Sequence, residues 1–265
     1  MRILITGTTG FVGHKLKASY TDAIAAPSLR NATQDMIKKI VEESEADVVI
    51  HTAAISDIGT CQKDPQSSYF ANVQIPLYLA AACKDRKLIC FSSDQVYSAC
   101  KEEGPYIEDV VKPGNIYAEH KLEMEERVLE LIPSAVMLRA EWMYDYVSPK
   151  PNYFLNVLHA SQQVSFSSRQ FRGVTYLKEV VENMDHVMTL PGGAYNFGSE
   201  TTHSMYEITE QFLQLLGKDV QLQDALPRHN LWMNCEKARK YGVEFSDVSD
   251  GLKRCLNDYK TTIKQ

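Results

Sequence analysis

Short, nearly continuous apolar runs rich in valine and isoleucine recur through the first half of the chain: "RILIT" (2–6), "DAIAA" (22–26), "DVVIH" (47–51), "LICFS" (88–92) and "AVMLR" (135–139). Runs of this length without alternation predict strands buried on both faces. Between them, apolar positions fall at helical spacing over about 11–20, 33–45, 65–86 and 115–131. Strand and helix in alternation predict a parallel sheet covered by helices on both sides, the Rossmann-type doubly wound α/β class. After Arg139 the rhythm shifts to shorter elements with more Pro, Gly and aromatic residues, as in "YDYVSPKPNYF" and "LPGGAYNFGSE". Two amphipathic helices follow, near 204–216 and 249–260. The expected division is a first domain over 1–140 and a smaller C-terminal lobe made mainly of 141–265, with some segments returning to the first domain.

Composition narrows the partners. Of 265 residues 44% are hydrophobic and 23% charged, as in proteins with a sizeable buried core. No apolar run approaches the roughly 18 residues of a membrane span, so the expectation is a cytoplasmic protein with no membrane partner. Cys61, Cys83, Cys90, Cys100, Cys235 and Cys255 form no C-x-x-C pair, and no histidine stands at metal-ligand spacing; they read as reduced packing residues, with no metal site. The net charge of -6 and the lack of a basic stripe interleaved with aromatics argue against nucleic acid.

The first candidate chemistry lies in "ILITGTTGFVG", directly after the first strand. Gly7 can make the tight turn, Gly10 lets backbone approach a pyrophosphate, and Gly13 lets helix and strand pack closely. Thr9, Phe11 and Val12 complete the turn, and the helix that opens there presents free N–H groups to an anion. A dinucleotide is the implied cofactor. An acid about 20 residues beyond such glycines binds the ribose hydroxyl of NAD, whereas Arg suits the 2′-phosphate of NADP. Arg30 stands at that distance and no acid lies between Asp22 and Asp35, which favours NADP(H) over NAD(H). Arg30 also reads as a solvated loop residue.

Tyrosine four places before lysine occurs three times. Tyr97 and Lys101 run from a strand end into a polar loop, and Tyr146 and Lys150 straddle Pro149, with Pro151 following. Tyr117 and Lys121, in "NIYAEHK", lie within a competent helix with Asn115 as N-cap and Pro133 beyond its end. On one helical face a phenol can protonate an alkoxide left by hydride transfer, and an adjacent ammonium lowers its pKa. Ser93, in "FSSDQVY" at the end of the fourth strand, can polarise the carbonyl; taken alone it reads as a strand-end serine satisfied by backbone.

"TGTTGFVG", "FSSDQVY" and "YAEHK" reproduce the motif order of the extended short-chain dehydrogenase/reductase superfamily. "HTAAIS" (51–56) resembles its small-residue turn after a later strand, with Ala53 and Ala54 lining the cofactor. Within it the chain resembles, over nearly all its length, the dTDP-4-dehydrorhamnose reductase and sugar-nucleotide-binding family, through "PYIEDVVKPGNIYAEHK", "LRAEWMY" and "RHNLWMNCEK". The resemblance implies Ser93, Tyr117 and Lys121 as the catalytic set. It also implies NAD(P)H-dependent reduction of a 4-keto group on a nucleotide-activated sugar, and admits a homodimer. Asn72, Trp142, Tyr144, Thr175 and Arg228 are implied at the substrate. Trp142 and Tyr144 equally read as lobe core, and Arg228 as a solvated charge. The pattern departs at Ile55, where the family often has His, at Val174, where Pro is usual, and in the order Pro227-Arg228, so the particular sugar does not follow. Two other readings stay open: an epimerase or dehydratase that retains NAD, and a non-catalytic dinucleotide-binding regulatory subunit.

Overall fold

In the computed structural model, which describes residues 1–148, 150–226 and 230–263, the valine- and isoleucine-rich runs do become strands. The chain begins β1 (Ile3–Thr6), α1 (Phe11–Ser19), β2 (Ile24–Ala25), α2 (Gln34–Ser44), β3 (Val48–His51), α3 (Ile58–Lys63), α4 (Pro65–Tyr69). A π-helical turn at Phe70–Gln74 leads into α5 (Ile75–Ala82), then β4 (Lys87–Ser93), a 3₁₀ turn at Asp94–Tyr97, α6 (Ile116–Leu131) and β5 (Val136–Ala140). Next come β6 (Trp142–Tyr144), α7 (Tyr153–His159), β7 (Gln163–Phe166), β8 (Val174–Tyr176), α8 (Leu177–Thr189) and β9 (Gly193–Phe197). The chain closes with α9 (Met205–Leu216), β10 (Gln221–Asp224), α10 (Glu236–Arg239) and α11 (Val248–Thr262).

Six strands form one mostly parallel sheet in the order β2-β1-β3-β4-β5-β9. The strands β1 and β3 are buried along their whole length, with Ile5 opposite Ile50 and Thr6 opposite His51. Each fully buried Val, Leu or Ile on such a strand contributes about 1.5–3 kcal/mol relative to exposure. One face packs Leu4, Val49, Leu88 and Met137 against Ile37 and Val41 of α2, Leu79 and Ala80 of α5, and Met124 and Val128 of α6. The chain leaves β1 toward β2 on one side and returns to β3 on the other, so the order reverses there. The crevice outside the carboxyl ends of β1 and β3 is the topological switch point where such sheets take ligands.

Contacts divide the chain into two units with discontinuous sequence: Met1–Ala99, Val111–Arg139 and Met184–Tyr195 in one, Cys100–Val110, Ala140–Asn183 and Asn196–Gln265 in the other. The first is therefore completed by a segment from the C-terminal half, and the second borrows one from the N-terminal half. In the second unit, β6 pairs with β8 and β7 with β10, both in parallel. Its core is Tyr144, Phe154 and Tyr176 with Met205, Ile208 and Phe212 of α9 and Leu252 and Leu256 of α11. Helix α9 starts with a full capping box, Ser204 and Glu207 each bonding the other's backbone N–H, and ends at Gly217 in the left-handed region.

The helix expected over 65–86 is present but carries the π-helical turn, and the strand expected over 22–26 shortens to two residues. Among the described residues, no helix is long and apolar enough to cross a membrane and no group of His, Cys, Asp or Glu could hold a metal ion.

Candidate active site

The glycine turn stands at the switch point. Gly7 has φ +72°, in the left-handed region, and a Cβ there would lie 2.6 Å from the Ala53 nitrogen. A Cβ on Gly13 would lie 2.3 Å from the Gly7 oxygen and 2.5 Å from Thr52 Oγ1. Both glycines are thus required by the close seating of this turn against the chain leaving β3, where Thr52 Oγ1 donates to the Thr6 carbonyl at 2.7 Å. Gly10 caps α1 through its backbone only; among the described residues no side chain caps that helix, and its first turn holds no acid. Thr9 and Ala54 are exposed, and Gly10, Phe11, Val12 and Ala53 are half-buried. An uncapped helix start with accessible small residues beside it fits a pyrophosphate. Arg30 is exposed in the loop after β2, where its backbone N–H reaches Ser28 Oγ at 3.5 Å.

The residues expected to transfer the proton are brought together by α6 and the end of β4. Asn115 caps α6, its Oδ1 accepting from Ala118 N at 2.9 Å, while its Nδ2 donates to Gln95 Oε1 at 3.3 Å and Ser98 Oγ at 3.4 Å. The start of the helix is thereby tied to the 3₁₀ turn that follows Ser93. Ser93, Tyr117 and Lys121 are all buried. Burial pushes the Tyr117 phenol up, and a hydrogen bond with Ser93 pulls it the other way. Lys121, 2% exposed, donates from Nζ to the Phe91 carbonyl at 2.8 Å, and its Nζ lies 5.9 Å from the Tyr117 ring centroid. Burial lowers Lys121 to about 8, against the weaker opposing pull of Cys90 and Glu125. Desolvation is the largest influence on the Tyr117 phenol and raises it, while the Lys121 ammonium faces the Phe91 carbonyl.

His51, unremarked in sequence, ends β3 with Nδ1 2.7 Å from Thr6 Oγ1, and among the described residues its Nε2 has no hydrogen-bond partner. Burial first, and the Lys121 charge second, push this imidazole down to about 3, so it is neutral at physiological pH.

Asn72, expected at the substrate, is instead fully buried inside the π-helical turn. Its Nδ2 donates to the Ile55 carbonyl at 2.9 Å and its Oδ1 accepts from Ile55 N at 3.1 Å. It staples the residue after Ala53 and Ala54 and so holds the turn.

In the second unit, Tyr144 is also interior, stacked between Phe154 and Tyr176 at centroid distances of 6.0 and 5.8 Å. Thr175 is fully buried and donates to Glu141 Oε1 at 2.5 Å, which also accepts from Ser199 N at 3.0 Å. Of these two residues expected at the substrate, Tyr144 is held by ring stacking and Thr175 by its hydrogen bonds with Glu141 and Ser199. Trp142 is 43% exposed and presents a ring face, backed by the buried Arg172 guanidinium 3.8 Å from its centroid. Arg172 had no signal in the sequence, since stacking depends on an aromatic 30 residues upstream. Arg228 lies outside the described residues.

A glycine turn at the switch point, with serine, tyrosine and lysine gathered on the neighbouring strand and helix, makes this an extended short-chain dehydrogenase/reductase. Residues 1–261 match the family described as RmlD substrate binding domain, and the chain belongs to that family. It is 27% identical over 224 residues to dTDP-4-dehydrorhamnose reductase from Aggregatibacter actinomycetemcomitans, covering 78% of this chain and 76% of the relative. A second dTDP-4-dehydrorhamnose reductase, from Mycolicibacterium smegmatis, is 33% identical over 152 residues, which is 54% of this chain but 46% of that protein's length. The crystal structure of dTDP-4-dehydrorhamnose reductase from Bacillus anthracis in complex with NADP has the same fold, with a TM-score of 0.84 at 19% identity, covering 97% of this chain and 98% of that one.

Proposed function

We propose that this chain is an NAD(P)H-dependent, cytoplasmic reductase of a 4-keto group on a nucleotide-activated sugar, with the first unit holding the dinucleotide and the second the substrate. The carrying observation is the buried set of Ser93 at the end of β4 with Tyr117 and Lys121 one helical turn apart on α6, the Lys121 Nζ 5.9 Å from the Tyr117 ring centroid. The turn from Gly7 to Gly13 and the Ala53–Ala54 segment would hold the dinucleotide, and Arg30 is the group for a 2′-phosphate, which makes NADP(H) the preferred form. The chemistry supplied by a bound reduced nicotinamide is hydride donation to the keto carbon.

The chain's own residues handle the oxygen. Ser93 orients the carbonyl by hydrogen bonding, and Tyr117 gives its phenolic proton to the oxygen as negative charge develops there. A phenol whose pKa burial has raised stays protonated at neutral pH, so the donor is loaded before each turnover. The phenolate left behind gains from the Lys121 ammonium on the same helical face. Trp142 offers a stacking surface to a base or sugar ring.

The reading is tested by following NADPH and NADH oxidation across a panel of 4-keto sugar nucleotides. Turnover with at least one, abolished in Tyr117→Phe while dinucleotide binding persists, is the expected outcome. Tightly held NAD with no net consumption would point to an epimerase or dehydratase instead. Dinucleotide binding without any turnover, alone or with partners, would leave a binding subunit.

A further inference from the structure

The residue between Glu119 and Lys121 takes part in neither proton transfer nor capping. His120 leans off α6 toward α4, with its ring set edge-on to Tyr69 at a centroid distance of 5.4 Å and an interplanar angle of 82°. Its Nδ1 lies 2.8 Å from Ser68 Oγ. Ser68 is fully buried, and its oxygen also accepts from Asn72 Nδ2 at 3.2 Å. The two Asn72 amide hydrogens are then both assigned, one to Ser68 and one to the Ile55 carbonyl, and this fixes which end of the amide faces Ile55 N.

We infer that His120 is a positioning residue for the dinucleotide surface: its neutral imidazole accepts the Ser68 hydroxyl proton, Ser68 accepts from Asn72, and Asn72 grips both backbone groups of Ile55 after Ala53 and Ala54. A hydroxyl has one proton to give. While His120 is neutral that proton goes to Nδ1. Once the imidazole is charged, Nδ1 becomes a donor, Ser68 receives two donors, and the hydroxyl hydrogen loses its acceptor in a buried place, which is unfavourable. The chain from His120 to Ile55 is therefore fully satisfied at high pH, whereas at low pH it holds a buried hydroxyl hydrogen without an acceptor and is weakened.

The groups facing the imidazole agree with a neutral resting state. Burial lowers its proton affinity, while Glu123 and Glu119 of its own helix raise it less. Glu123 is itself engaged by Arg127 at 2.8 Å and by the Tyr69 hydroxyl at 3.1 Å, Tyr69 being the titratable neighbour contributed by α4. The window of change lies below the ordinary histidine value of 6.5.

This inference rests on the reading of Ala53 and Ala54 as a dinucleotide surface, so the test has one arm that needs no ligand. Amide hydrogen exchange at Ile55 and NADPH affinity are measured from about pH 5 to about pH 8 in the full-length wild type, His120→Ala, His120→Asn and Ser68→Ala. Protection of the Ile55 N–H is expected to fall roughly two- to tenfold in His120→Ala and Ser68→Ala, the loss of about one net hydrogen bond. NADPH affinity should fall with it, and both should become flat against pH. His120→Asn, whose Oδ1 can take the place of Nδ1 as acceptor but cannot titrate, should restore protection without restoring the pH dependence. Unchanged protection of Ile55 in His120→Ala, or no recovery in His120→Asn relative to His120→Ala, overturns the inference. Normal linkage at Ile55 in a wild-type protein that binds neither dinucleotide overturns the dinucleotide surface itself, and with it the role assigned to His120.

Discussion

Arg139 and Glu125 form a buried, two-pronged ion pair: Arg139 Nε lies 3.0 Å and a terminal guanidinium nitrogen 2.7 Å from Glu125 Oε2. The pair locks α6, which carries Tyr117 and Lys121, to the end of β5, and the same guanidinium donates to the Tyr97 hydroxyl at 2.9 Å. Ser92, next to Ser93, also hydrogen-bonds Glu125. Removing one partner leaves the other charged and buried. Arg139→Met should therefore lower stability by about 3–5 kcal/mol, and the double change Arg139→Met with Glu125→Leu by distinctly less. Urea denaturation of the two single variants and the double variant measures the difference.

Lys121 sets an alkaline limit. Its folded-state value of about 8 lies below the ordinary 10.5, so the folded protein gives up this proton first as pH rises. If the ammonium is needed, kcat/KM should decline above about pH 8 in the free enzyme. The sign for stability is opposite: the unfolded chain holds the proton up to 10.5, so the destabilisation from burying the charge at neutral pH is relieved between about 8 and 10.5. A pH–rate profile together with denaturation midpoints over that range checks both.

His51 sets an acid limit. Its folded value of about 3 lies below the ordinary 6.5, so the unfolded state binds more protons throughout that window. The stability present above 6.5 should be lost as pH falls, at up to about 1.4 kcal/mol per pH unit from this one group. His51→Asn should flatten the slope of urea midpoints measured between about pH 7 and about pH 5.

Gly13→Ala asks for space that is already occupied. The added methyl would lie 2.3 Å from the Gly7 oxygen, a backbone atom that cannot swing aside. The turn must shift against Thr52, and NADPH affinity should fall at least about tenfold even where the fold survives. Isothermal titration of the variant, with circular dichroism to verify folding, is the measurement.

The parts readable in the sequence are those fixed by local spacing. Strands β1, β3, β4 and β5 announce themselves because burial on both faces demands unbroken apolar runs, and the glycine turn and the Tyr117–Lys121 pair are patterns within a few residues. Strand β9 was hidden: it follows Pro191-Gly192, which reads as a loop, and its first two residues are half-buried rather than apolar core. Asn72, Tyr144 and Thr175 were assigned to the substrate by resemblance, yet their positions depend on distant partners. Ile55 is 17 residues from Asn72, and Glu141 is 34 from Thr175. No local pattern reports such pairings, nor the 52-residue separation between Ser68 and His120.

The late arrival of β9 bears on how the protein is born. Gly193 N donates to the Ala135 carbonyl at 2.8 Å, joining β9 to the outer side of β5. When residue 140 leaves the ribosome, that side of β5 is a bare row of peptide groups, and its cover follows about 50 residues later. At 5–20 residues per second the wait is roughly 3–10 s. During that interval the nascent sheet can recruit any extended chain nearby. A gene fragment ending at 140 would make the interval permanent, and its product should collect in inclusion bodies while the full-length chain stays in the supernatant.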